Sequence, residues 1–287
     1  MINGILNVYK EKGFTSHDVV AKLRGILHQK KIGHTGTLDP DAEGVLPICL
    51  GTATKLCDML TDKSKTYHTV FKLGVVTDTQ DITGTVQEEN AVVCTEQQIL
   101  DTIMSFVGKY EQVPPMYSAK KVNGKKLYEY ARKGVEVEIP KRKIEIYNIE
   151  LLNINEKEQT IEFKVHCSKG TYIRSLCSDI AKKLGTIGCM SDLERLCVGR
   201  FDITESITLE TINNNIENIN NNLITIERLF DKSKNIILED KKLKLFLNGV
   251  QLKVKEKDGA FKIYNNNKFI GIGCIKDNIL KRDIIII

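Results

Sequence analysis

The chain has 287 residues, 41% of them apolar and 28% charged, with slightly negative mean hydropathy; this is a globular composition that excludes bulk disorder and allows one large core plus a small second unit. A net charge of +5 permits a nucleic-acid partner without demanding one, and the eight cysteines contain no C-x-x-C pair, which weighs against zinc. No basic-then-apolar signal opens the sequence and no run nears the ~18 apolar residues that span a bilayer, so a reduced cytoplasm without membrane attachment is the expected address.

In chain order, Gly4 to Val8 reads as a strand, and Thr15-Ser16-His17-Asp18 has capping-box spacing ahead of a helix from about Ser16 to Leu27. Its polar side carries Lys22, Arg24, His28, Lys30 and Lys31 into a turn, Gly33-His34-Thr35-Gly36-Thr37-Leu38-Asp39-Pro40, which continues into the apolar run Val45 to Leu50. Tyr67 to Leu73 reads as a strand, Gly74 to Gly84 as a polar turn region, and Thr95 caps a helix through Phe106 with Ile99, Ile103 and Phe106 on one face. Gln112 to Lys126 has no periodicity but holds an aromatic and four lysines, so it is expected to be a ligand-touching loop before a short helix, Leu127 to Lys133, closed by Gly134. Alternation at Ile144 and Ile146, and at Ile161, Phe163, Val165 and Cys167, marks half-buried strands. A helix after Gly170 turns Ile173, Leu176, Ile180 and Leu184 inward. Residues 202–230 drift into Asn and Ile and read as surface helix or linker. From about Ile236, β-type runs at 249–254, 261–264 and 269–273 suggest a small β-rich module. Strands and helices mix without regular βαβ alternation, which favours an α+β sheet over a doubly wound one.

The sharpest chemical candidate is Asp39. Pro40 steers it away from helical geometry and the flanking glycines allow close approach by a ligand, while the neighbouring apolar run anchors the turn. Two readings stand at this point: a catalytic acid, or the first residue of an ordinary turn whose side chain bonds the backbone. Arg174, in the first turn of the helix after Gly170, is unfavourable for the helix dipole; it is either a surface arginine or the partner of a buried carboxylate. Tyr67 is either strand packing or a surface for a base, and His34 and Lys10 read equally as turn and solvated residues. The glycine-rich stretches match neither G-x-x-x-x-G-K-[ST] nor G-x-G-x-x-G, which argues against a nucleotide cradle, and the His and carboxylates do not fall at metal-ligand spacings.

Taken together, these segments closely resemble the bacterial tRNA pseudouridine-55 synthase family, the TruB type. The match includes Gly4-Ile5-Leu6 with Lys10 and Gly13-Phe14-Thr15-Ser16, GHTGTLDP at 33–40, GVLPICLG at 44–51 and Lys65-Thr66-Tyr67. It continues through Leu73-Gly74, TDTQD at 77–81, MYSAKKVNGKKLYEYAR at 116–132, CSKGTYIRSL at 167–176, and Leu193 with Arg195-Leu196. The family usually has Lys-Pro where this chain has Lys10-Glu11, a change that removes a rigid turn residue but keeps the lysine.

The resemblance implies a pseudouridine synthase catalytic domain with a central mixed β-sheet over 1–230 and a small PUA-like RNA-binding domain over 231–287. It implies isomerisation of a uridine in the tRNA TΨC loop, with no cofactor and no metal, by a monomer that needs no obligate protein partner. By the same resemblance Asp39 is the catalytic aspartate, Arg174 the arginine that pairs with it, and Tyr67 the tyrosine that packs on the flipped base and assists proton removal from C5. Lys10 supports the site, Leu193 packs against the base, His34 fills the space vacated in the T-loop, and Asp81 is a polar contact. Phosphate contact is expected from Lys30, Lys31, Lys120, Lys121, Lys125 and Lys126 on the T-stem-loop, with affinity that falls steeply with salt. Two other readings remain: a guide-RNA-dependent pseudouridine synthase, and a catalytically idle tRNA-binding or folding protein, which would predict loss of Asp39.

Overall fold

The strands Lys65–Leu73 and Thr160–Cys167 bury every second side chain, so their pairing presents one largely apolar face, with Lys65 and Thr69 its polar members. Around them, in a computed structural model that describes residues 1–286, a mixed ten-stranded sheet is assembled. Its order is Leu223–Ile224, Gly4–Lys10, Glu43–Leu50, Gly188–Val198, Lys65–Leu73, Thr160–Cys167, Arg142–Asn155 and Gly108–Gln112. Ile32–His34 adds to Glu43–Leu50, and Phe201–Asp202 adds to Gly188–Val198. The helix Ile173–Lys183 lays Ile173, Leu176, Cys177 and Ile180 against Phe71, Phe163 and Val165 of the apolar face. On the other half of the sheet, Ser16–Ile26 packs Val19, Val20 and Leu23 on Leu6, Val8, Leu46 and Ile48.

A short parallel pairing within this sheet sets the position of the site. Glu43–Leu50 and Gly188–Val198 run side by side for two pairs only, Glu43 with Glu194 and Gly44 with Arg195. A Cβ on Gly44 would lie 2.3 Å from the Arg195 carbonyl oxygen, so only glycine allows this approach, and the approach places Arg195 beneath the 33–43 turn.

After residue 234 the chain forms a second, five-stranded sheet in the order Asn235–Ile237, Gly259–Asn265, Lys268–Lys276, Ile279–Ile285 and Leu252–Lys253, flanked by the helix Asp240–Leu247. Its Ile272 and Ile284 are buried in one cluster with Ile5, Val45, Val198 and Phe201, so the small sheet packs directly on the large one. The architecture is therefore α+β with a central mixed sheet and a C-terminal β-rich unit.

Several elements differ from the sequence expectations. The Asn-rich 202–230 stretch is not a linker: Leu209, Ile212 and Ile219 are buried against the Ser16–Ile26 helix layer, and Leu223–Ile224 supplies the edge strand of the main sheet. Single apolar residues between Asn and Thr give short turns of helix with no helical period to read. The 74–84 region holds a strand, Val75–Thr77, paired with Val86–Glu89. The lysine-rich loop contains a two-residue hairpin, Lys121–Val122 against Lys125–Lys126, turned by Asn123-Gly124, a dipeptide suited to that turn. The C-terminal unit contains a helix, Asp240–Leu247, where only β-type runs are expected, and of the 249–254 run only Leu252–Lys253 is strand.

Candidate functional site

The turn that carries Asp39 is fastened to its surroundings at nearly every residue. Ser16, inside the first helical turn, donates from Oγ to the Leu38 carbonyl at 3.2 Å and accepts the Leu38 N–H at 2.9 Å. Lys10 is fully buried; its Nζ donates to the carbonyls of Pro40 at 3.1 Å and Glu11 at 3.0 Å. Gly13 N–H adds a bond to the Pro40 carbonyl at 3.0 Å. Arg195, also buried, reaches up from the sheet, with Nε on the Val45 carbonyl at 2.7 Å and Nη2 on the Gly36 carbonyl at 3.2 Å. Ala42 N–H donates to the Asp39 carbonyl at 3.2 Å, so Asp39 does begin a turn, but only through its backbone.

The carboxylate takes the other course. Asp39 Oδ2 faces Arg174 Nη2 at 2.8 Å. The guanidinium is fixed further by bonds to the Thr79 carbonyl at 3.1 Å and the Tyr117 carbonyl at 2.9 Å, and its side chain is only 9% exposed. A cation in the first helical turn, where the dipole disfavours it, is thereby accounted for by its acidic partner. Asp39 keeps 41% of its side chain accessible, yet protein surrounds the carboxylate closely. Burial pushes its carboxyl above the ordinary aspartate range; Arg174 pulls the other way, and the Asp81 and Asp41 charges push with burial.

The pair opens into a cleft of about 670 Å³ that also brings in Tyr67, Leu193 and Lys120. Leu193 and Arg195 alternate along one strand and face the same side as Tyr67, which pairs with Arg195 across the ladder. Tyr67 is buried; desolvation raises its phenol pKa, and the Arg195 charge works against that rise.

Lys10, Asp81, His34, Lys121, Lys125 and Lys126 lie outside the lining. Lys10 acts on the backbone of the turn, and burial lowers its ammonium to about 8 against the upward pull of Asp41, Asp39 and Glu43. Asp81 closes a local turn, accepting Thr83 N–H at 3.0 Å and Thr83 Oγ at 2.7 Å, and reaches Asp39 only through its charge. His34 is not in a polar loop but half-buried in Ile32–His34, opposite Ile48, with Nδ1 buried and without a partner. Burial first, then Arg195, lowers its pKa against the opposing pull of the Gly36 backbone, and the lowered value favours the neutral imidazole. Lys121 and Lys125 are exposed on the hairpin, whereas Lys126 lies 5.3 Å from the centre of the Tyr128 ring and Lys120 donates to the Pro140 carbonyl at 2.9 Å.

Sequence reasoning misses two supports, Ser16 and Arg195. From sequence, Ser16 reads only as part of a helix cap and Arg195 only as part of a motif. The available signal for Arg195 is a charged residue between Leu193 and Cys197 in an otherwise core-facing strand. Among the described residues no group of three His, Cys, Asp or Glu gathers as a metal site, and no helix is long and apolar enough to cross a membrane.

Comparison with known proteins converges on one family. Residues 24–173 match the N-terminal domain of TruB family pseudouridylate synthases, 174–234 the tRNA pseudouridylate synthase B C-terminal domain, and 235–281 the pseudouridine synthase II TruB C-terminal domain. The chain is 47% identical to tRNA pseudouridine synthase B of Clostridium kluyveri, covering 96% of each, and 48% identical to that of Clostridium tetani, covering 95% of each. Among solved structures it resembles a chain of a Cbf5-Nop10-Gar1 complex, with TM-score 0.69 and 25% identity over 94% of this chain and 78% of that one. A chain from an H/ACA RNP bound to a substrate RNA containing 2′-deoxyuridine shares the fold, with TM-score 0.70 and 23% identity over 98% of this chain and 84% of that one.

Proposed function

The chain belongs to the TruB family of pseudouridylate synthases, and from that premise we propose that it converts uridine 55 in the TΨC loop of tRNA to pseudouridine. The observation that carries this reading is the Asp39–Arg174 pair, 2.8 Å apart, in a cleft walled by Tyr67 and Leu193. The relatives named for tRNA are 47% and 48% identical, whereas the Cbf5-complex chain is 25% identical, which favours a tRNA substrate over a guide-dependent one.

The reaction breaks the N1–C1′ bond, turns the uracil and joins C5 to C1′; the C5 proton leaves and N1 takes one up. Atoms and electrons balance within the nucleoside, so no cofactor is required. A uracil in a stacked loop cannot reach the cleft, so the base must be flipped out, and Tyr67 and Leu193 offer the apolar walls it would enter between. Asp39, ionised, engages the ribose or the ring as nucleophile or base. Arg174 holds the carboxylate in place and favours its charged form against the desolvation that the cleft imposes. Tyr67, neutral at ordinary pH, packs on the base; Arg195 beside it stabilises the phenolate that would form if Tyr67 removed the C5 proton. Lys10 holds the turn by the Pro40 carbonyl, and with its bond to the Glu11 carbonyl it does so without the proline usual at that position.

Outside the cleft, the half-buried imidazole of His34, whose pKa burial lowers, suits filling the gap left by the flipped base better than pairing with phosphate. Asp81 tunes the charge at Asp39, the hairpin lysines meet the RNA backbone, and residues 231–287 form a PUA-like RNA-binding unit on a monomeric enzyme. Incubation of the protein with a T-stem-loop transcript, followed by chemical mapping of pseudouridine, tests the assignment. Modification is expected at uridine 55 alone; modification elsewhere in the stem-loop, or none, would refute it.

A further inference from the structure

Arg142 opens the strand Arg142–Asn155, paired with Gln112 at the edge of the sheet. It lines two hollows at once: the catalytic cleft, and a neighbouring one of about 520 Å³ that also contains Lys109 and Lys143. Lys169 is the other residue shared by both.

The guanidinium of Arg142 rests directly on the backbone of Gly170. A Cβ at that position would stand 2.0 Å from Cζ, 2.3 Å from Nη2 and 2.4 Å from Nη1, so any other residue would displace the group. Gly170 has φ +77°, which independently favours glycine there. Among the described residues the seated guanidinium closes no ion pair and donates no hydrogen bond. Asp62, a carboxylate whose titration feels Arg142, already faces Lys169 at 2.7 Å. Lys120, tied to the Pro140 carbonyl two residues before Arg142, lies close enough for the arginine charge to add to burial in lowering its ammonium pKa. A flat cation thus lies on the Gly170 backbone beside two lysines, with its donors unspent, a geometry that matches the oxygens of a phosphate.

We propose that Arg142, seated on Gly170 and flanked by Lys120 and Lys169, binds one backbone phosphate of the RNA strand that carries the target uridine, at the rim where the two hollows meet. Glu111 and Glu145 line the second hollow and keep the phosphate at that rim rather than inside. The inference rests on the RNA substrate proposed above and adds the contact that fixes the strand while its base enters the cleft.

The test uses T-stem-loop RNAs in which a single phosphate near the target uridine is replaced by an uncharged methylphosphonate, one position at a time, assayed with the full-length protein, Arg142→Gln and Arg142→Lys. With unmodified RNA, Arg142→Gln is expected to raise KM about tenfold, as for loss of a charged hydrogen bond, with a much smaller change in kcat, and Arg142→Lys to fall between. One methylphosphonate is expected to raise KM for the unaltered protein by a similar factor and to have no further effect on Arg142→Gln. An unchanged KM for Arg142→Gln, or equal sensitivity of both proteins to every methylphosphonate, would overturn the assignment while leaving the proposed function intact. If the unaltered protein forms no pseudouridine in unmodified RNA, the proposed function fails, and this inference with it.

Discussion

Two segments of the cleft wall are built on opposite principles. The 33–43 turn is immobilised from below by Lys10 and Arg195, buried cations that spend their donors on backbone carbonyls, and from the side by Ser16. The 116–132 segment lines the cleft through Tyr117 to Lys120 and Tyr128, and between them forms a two-residue hairpin with Lys121 and Lys125 exposed. Buried cations that bind carbonyls, not carboxylates, leave the Asp39 side chain with Arg174 as its one ion-pair partner, so the carboxylate proposed to react is held in place without being neutralised by its scaffold. The exposed lysines suit the different role proposed for them, long-range attraction to a polyanion, which needs charge density but little fixed geometry. The two segments meet at Arg174, which bonds the carboxylate of the first and the Tyr117 carbonyl of the second.

Substitutions that separate these roles should differ in size and in kind. The largest effect is expected at the junction: Arg174→Gln should lower turnover about 10²- to 10³-fold, the scale for loss of a preorganised charged donor. It should also move the acid limb of the pH–rate profile. Asp39 must be ionised to react, so activity is lost as pH falls through its pKa, which burial places above the ordinary aspartate value of about 3.9. Without Arg174 that limb should shift to still higher pH; a limb that stays or moves down would show that Arg174 does not hold the charge of Asp39. Lys10→Met should cost roughly tenfold to a hundredfold in kcat with little change in RNA affinity, because the Pro40 carbonyl keeps its bond from Gly13 while the turn loosens. Weaker RNA binding with unchanged kcat would instead place Lys10 among the RNA contacts. The smallest effect on chemistry is expected at the hairpin, where Lys121→Gln with Lys125→Gln should leave kcat unaltered and reduce the slope of log affinity against log salt by about 0.7 to 0.9 for each phosphate no longer neutralised. A slope identical to that of the unaltered protein would remove those lysines from the interface.

The sequence is most legible where side-chain period and cap chemistry agree. The Ser16–Ile26 and Glu96–Met104 helices have the capping boxes expected at Thr15 and Thr95, and the alternation at 161–167 is a strand with that face buried. The 202–230 stretch misleads because its core contacts come from isolated apolar residues in turns too short to show a period. At the site, Asp39 and Arg174 are each ambiguous alone, and only the fold joins residues 135 positions apart at 2.8 Å. The supporting role of Arg195 has no local signature, since it depends on a parallel pairing between strands distant in sequence, made possible by Gly44. His34 resembles a loop residue because its strand is three residues long and follows a polar segment.

On the mechanism proposed here, the carboxylate held by Arg174 is the group that starts the isomerisation. That role is tested most directly by tritium release from C5-labelled uridine in a T-stem-loop transcript, measured for the unaltered protein and for Asp39→Asn, with RNA affinity measured alongside. The amide has the same shape and cannot supply the negative charge, so release should fall to the uncatalysed background while the stem-loop is still bound. Release by Asp39→Asn at the rate of the unaltered protein would show that Asp39 does not start the isomerisation.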